Sequence, residues 1–105
     1  MNERPILFTG AMVRAILDGT KSATRRVVKP QPDHISAMPF GAPTFEILKR
    51  MGQGFVPSGC IRCPYGKAGD RLRASGITLQ ITAVRVERAY GDSPWVWVID
   101  FARLG

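Results

Sequence analysis

The chain has 105 residues, which allows one domain with a small core and excludes two domains of ordinary size. Its hydrophobic fraction of 45% and charged fraction of 22% are those of a globular protein and argue against global disorder. Fifteen Lys and Arg against eight Asp and Glu leave a formal charge of +7, so polyanions, nucleic acid first among them, lead the partner classes over a merely solubilising excess.

At the N-terminus, "RPILF" (4–8) reads as a short first strand. Thr9 follows as a helix N-cap. From Ala11 to Asp18, the residues Met12, Val13, Ala15, Ile16 and Leu17 recur at helical spacing, and Gly19 stands where a left-handed cap would end the helix. Lys21 to Arg26 then lie in the following turn and on a strand "RRVV". Extended geometry points Thr24 and Arg26 to one side, Arg25 and Val27 to the other. Lys21 reaches the Thr24 side from the turn.

Residues 29–69 hold six of the eight prolines and read as largely loop, a length that is unusual unless the segment has a task. Within it "TFEILKRM" (44–51) has a helical look, with Thr44 as cap and Gly52 as stop. A β-rich second half begins at "GDRLRA" (69–74). In 77–90 the apolar phase moves from Ile77, Leu79 and Ile81 to Val84 and Val86, the mark of a bulge or a change of face. "PWVWVIDFARL" (94–104) is apolar on both faces and reads as a central strand. The elements predict an α+β domain spanning 1–105, a small β-barrel with one or two short helices.

Several residue types here carry chemistry. Arg25 and Arg26 suit phosphate through their guanidinium forks, or pair with Asp18 or Asp70 to hold the helix on the barrel; Arg26 is favoured for the site and Arg25 for a structural or peripheral place. Cys60 and Cys63 have the spacing of half a zinc site, yet four ligands are needed and only His34 stands beside the acidic residues, so two reduced thiols are expected and no metal or other cofactor. Two cysteines also make no secreted disulfide framework, and no run approaches the roughly 18 apolar residues of a membrane span, which predicts a cytoplasmic protein. Trp95 and Trp97 fit core packing better than base stacking. Tyr65 and Phe40 are the better candidates for a ligand wall. The glycines of "PYGKAGD" serve a turn whose amides can approach a phosphate.

A helix leading into Gly19, Lys21, Thr24 and Arg26, followed by a basic β-rich half, resembles the ASCH family of PUA-like β-barrels. The blocks "RPILF", "MVRAILDG", "TRRVVKPQP", "CPYGKAGDRL", "ITLQITAVRVER" and "PWVWVIDFARL" are similar to a group of phage and prophage proteins within it. Longer members carry a tryptophan-rich stretch after the equivalent of "GDRL" and an acidic helical stretch before that of "PWVWV". This chain resembles a shortened form lacking both.

The resemblance implies a bacterial host cell and two activities. One is binding of RNA or a nucleoside-type ligand in a cleft beside the barrel, with Lys21, Thr24 and Arg26 lining it and Lys67, Arg71 and Arg73 as outer phosphate contacts. The other is an amidohydrolase acting on acetylated cytidine, with Thr24 as nucleophile and Lys21 as base. Its glutamate has no matching position here; Glu87 and Asp92 are the nearest carboxylates in sequence. A third class is a phage-encoded module that binds a host protein on the same scaffold.

Overall fold

The computed structural model describes residues 3–39, 44–89 and 93–104. In chain order the elements are β1 (Glu3–Pro5), α1 (Gly10–Leu17), β2 (Ala23–Val27), β3 (His34–Pro39), β4 (Thr44–Met51), β5 (Gly54–Arg62), β6 (Arg71–Ala74), β7 (Ile77–Glu87) and β8 (Val96–Arg103). They form a five-stranded sheet in the order β1-β6-β7-β8-β2 and a three-stranded sheet, β3-β4-β5. All pairings are antiparallel except β1 with β6, which is parallel. The α+β class holds. Among the described residues there are two sheets that share a core and neither closes on itself, so the expected barrel is not seen.

Helix α1 forms where its caps predict. The Thr9 hydroxyl accepts from the Met12 amide at 3.2 Å, satisfying one N–H that the first turn leaves without a helical partner. At the other end Thr20 N–H donates to Ala15 O (2.9 Å) and Gly19 N–H to Ile16 O (3.1 Å), the paired bonds of a Schellman cap. That cap needs a left-handed residue, and Gly19 has φ +80°. The reversal delivers Lys21 to the start of β2.

The first strand is shorter than expected. Pairing with β6 covers Glu3 to Pro5, and beyond it only the Ile6 amide continues the ladder, donating to Arg73 O at 3.0 Å. Leu7 to Thr9 therefore turn away toward α1.

The reading of 29–69 as mostly loop, with a helix at 44–51, is corrected. Residues 44–51 are β4, paired along their whole length with β5, and β3 flanks β4. Gly52, expected to stop a helix, is instead the first loop residue of the two-residue β4–β5 hairpin, with φ +61°. A tight hairpin of the II′ kind takes glycine at that place. The phase change in β7 is a register shift between Ile81 and Ala83, as the alternation predicts.

Leu72, Leu79 and Ile99 are wholly buried, and burying each such side chain contributes about 1.5–3 kcal/mol. The second sheet adds Ile35 and Phe45 to the same core, Phe45 meeting Trp97 edge-on at 5.7 Å between centroids. Trp95 and Trp97 are core residues, as expected. The β4–β5 hairpin is exposed from Lys49 through Cys60, although the His34 ring lies 5.1 Å from that of Phe55 and Asp33 accepts from the Arg50 amide at 2.8 Å. This arm accounts for a radius of gyration of 15.1 Å, against about 13 Å for a rounded domain of this length.

Candidate functional site

β2 is the terminal strand of its sheet, so one of its backbone edges is unpaired. Its alternation is the one predicted: Thr24 and Arg26 stand opposite Ile99 and Trp97 of β8 on one face, whereas Arg25 stands on the other face opposite Val98, which is itself buried. Thr24 is buried (2% exposed), and its hydroxyl accepts from Arg26 Nη1 at 2.9 Å.

Arg26 is half-buried and tightly placed. Nη1 also donates to Arg25 O (3.0 Å), Nη2 donates to Leu7 O (2.8 Å), and the guanidinium lies over the Phe8 ring, 5.4 Å from its centroid. All three acceptors are neutral. Among the described residues no carboxylate pairs with this cation, so its position is fixed while its charge is left uncompensated. Water and the Phe8 face stabilise a half-exposed guanidinium, but neither matches an anion presenting two oxygens to the fork.

Arg25 has the structural place expected of it, with a different partner. It pairs with Glu87 at 3.0 Å, not with Asp18 or Asp70. Glu87 also holds Arg85 at 2.6 Å, and Arg85 reaches Asp100 at 3.2 Å. The Asp100 carboxylate holds the Arg85 guanidinium above its ordinary pKa. These four residues make a network across the outer face of β2, β8 and β7.

Three hollows meet at Arg26. A cleft of about 540 Å³ between the two sheets is lined by Arg25, Arg26, Lys29, Arg62, Tyr65 and Trp97 among others, and among the described residues no acidic one lines it. A more apolar hollow of about 650 Å³ is formed by Ile6, Leu7, Phe8 and Met12 with Arg26 and Tyr65. A smaller one of about 380 Å³ beside β2 brings together Lys21, Thr24, Arg26, Arg25 and Arg85. Lys21, Thr24 and Arg26 are thus gathered at one concavity.

Lys67, Arg71 and Arg73 line none of these three hollows. Lys67 turns onto the buried Asp70 at 3.2 Å, and Arg73 pairs with Glu3 at 2.6 Å. Arg71 is half-buried on β6, with its Nε shielded from water and without a hydrogen-bond partner. β6 is separated from β2 by two strands, which takes Arg71 and Arg73 away from Arg26; Lys67 stands in the turn after Tyr65, held by Asp70.

Tyr65 is placed by the turn after it. Asp70 accepts from the Lys67 amide at 3.1 Å, and Gly66, with φ +121°, leaves no room for a Cβ, which would sit 2.8 Å from Asp70 Oδ2. The Gly66, Gly69 and Asp70 amides donate to Cys63 O, Ile81 O and Lys67 O. These three amides and that of Lys67 are therefore spent inside the fold and are not offered to a phosphate. Phe40, the other expected wall residue, lies outside the described residues. Cys60 is exposed and Cys63 buried, with burial pushing the Cys63 thiol pKa up. No group of three metal-ligating side chains occurs among the described residues.

The chain matches no family model, no curated protein and no solved structure. Hydrolysis by Thr24 requires a group to take its proton, and the hydroxyl's hydrogen-bond partner is a permanent cation. Glu87 is engaged by Arg25 and Arg85 and makes no bond to Lys21 or Thr24; Asp92 lies outside the described residues. The arrangement favours binding an anion over attacking an amide. Lys29 and Arg62 were not singled out in the sequence, because the segment joining them reads as loop and only the second sheet brings Arg62 opposite β2. Among the described residues no helix is long and apolar enough to cross a membrane.

Proposed function

We propose that this protein is a nucleic-acid-binding or nucleotide-binding domain of the ASCH, PUA-like kind, taking its ligand in the cleft between the two sheets. Arg26 carries the reading. A half-buried guanidinium held by three neutral acceptors, with no acidic partner among the described residues, is prepared for an external anion. Around it Arg25, Lys29 and Arg62 add positive charge, and the half-buried Tyr65 supplies aromatic surface. Phosphate and base are the two chemistries that this combination serves together. The net charge of +7 acts in the same direction at longer range.

The test is Arg26→Met, which keeps much of the apolar stem and removes the fork. Binding of a fluorescein-labelled single-stranded RNA, read by anisotropy, should weaken by about 10- to 150-fold, the value of one or two charge-assisted hydrogen bonds. Arg73→Ala, away from the cleft, should change it less than about twofold. Equal affinity of Arg26→Met and the parent protein, with both folded by circular dichroism, overturns the assignment.

A further inference from the structure

Arg26 and Tyr65 are the residues common to the inter-sheet cleft and the apolar hollow, so they form the wall between them. We propose that this wall splays two consecutive bases of a single strand, one on each side of Tyr65, with Arg26 holding the phosphate that joins them. The inference rests on the nucleic-acid reading above and deepens it: the ligand is a single strand of at least two nucleotides, because bases parted by an aromatic ring cannot remain stacked in a duplex.

The two compartments differ in the way this requires. The cleft, with Trp97 and Ile61 at its wall and Arg25, Lys29 and Arg62 around it, takes one base together with the onward phosphate chain. The hollow of Ile6, Leu7, Phe8 and Met12 has Arg26 as the charged residue of its lining and suits the flat apolar body of the second base. Leu7 is 91% exposed at its rim, an apolar side chain positioned to cover a ring that enters. Both compartments, at about 540 and 650 Å³, fall within the range of small-molecule sites. The wall is held from both sides, Tyr65 by the Gly66–Asp70 turn and Arg26 by Thr24 and Leu7. Holding these two groups in place before binding removes part of the ordering cost of parting two bases.

The experiment compares a nucleoside 5′-monophosphate with a dinucleoside monophosphate by isothermal titration, on the parent protein, Tyr65→Ala and Tyr65→Phe. Each probe has one phosphate, so charge does not favour the longer one. The parent should bind the dinucleotide about 5- to 140-fold more tightly, the worth of one further stacked base. Tyr65→Ala should lose most of that gain, and Tyr65→Phe, which keeps the ring, should retain it. A single-stranded RNA dodecamer should also outcompete its own duplex. Equal affinity for the two small probes, with RNA still bound, overturns the two-base wall and leaves the broader reading standing. Failure of the parent to bind any of the nucleic-acid probes overturns both.

Discussion

Lys29 and Arg62 give the sharpest quantitative handle on the cleft, because both are exposed and neither side chain makes a hydrogen bond or ion pair among the described residues. Replacing both by Ala therefore removes charge from the cleft without removing support from the fold. Four basic side chains line the cleft; Arg25 is engaged by Glu87, and Arg26, Lys29 and Arg62 have no acidic partner among the described residues. If each of these three neutralises one phosphate of a single strand, the logarithm of affinity falls with the logarithm of salt at a slope of roughly −2.1, about 0.7 for each contact. The double variant keeps Arg26 and should show a slope of roughly −0.7. Raising salt from about 50 to 200 mM then costs the parent roughly 18-fold in affinity and the variant about 2.6-fold. Anisotropy titrations of labelled RNA in a potassium chloride series measure both slopes directly. Parallel slopes for parent and variant would refute the argument, since they would place the phosphates somewhere other than between the sheets.

Two further predictions concern parts of the molecule that set the site. Gly19→Ala should cost about 1–2 kcal/mol in urea unfolding, because an L residue at φ +80° meets a backbone penalty there. No atom outside the chain neighbours lies within 4 Å of the added methyl, so packing contributes nothing, and unchanged stability would refute the left-handed cap. Cys60, exposed, should react with a thiol reagent well before Cys63, which is buried and has a raised pKa. A raised folded-state pKa means that this thiol's contribution to stability is complete below the ordinary thiol value of about 8.5 and fades as pH rises through the folded value. Thermal melts between pH 8 and 10 should therefore drop less steeply in Cys63→Ala, once its cavity cost is subtracted, and identical slopes would count against the burial argument.

Local sequence settled the elements whose signals lie within a few residues of one another. Thr9 and Gly19 bracket α1 because capping is a bond between a residue and its near neighbours. The alternation of Ile77, Leu79 and Ile81, its shift before Val84, and the doubly apolar strand around Trp97 could each be read because burial on a sheet repeats every second residue. Arg26 was separable from Arg25 for the same reason. Tertiary structure decided the rest. Residues 44–51 are too short a run to hold a helix unaided, and their apolar positions fit either geometry; pairing with β5, formed by the turn at Gly52, chose the strand. Whether the sheets close was a matter of which strand edges meet, which no periodicity records. The site depends on the same long-range placement, since Leu7 O lies 19 residues from the guanidinium it fixes and Arg62 arrives on a different sheet. Residue types and their sidedness are local properties of the chain. Which charges are left without a partner, and which side chains come to share a wall, are settled only when distant segments pack.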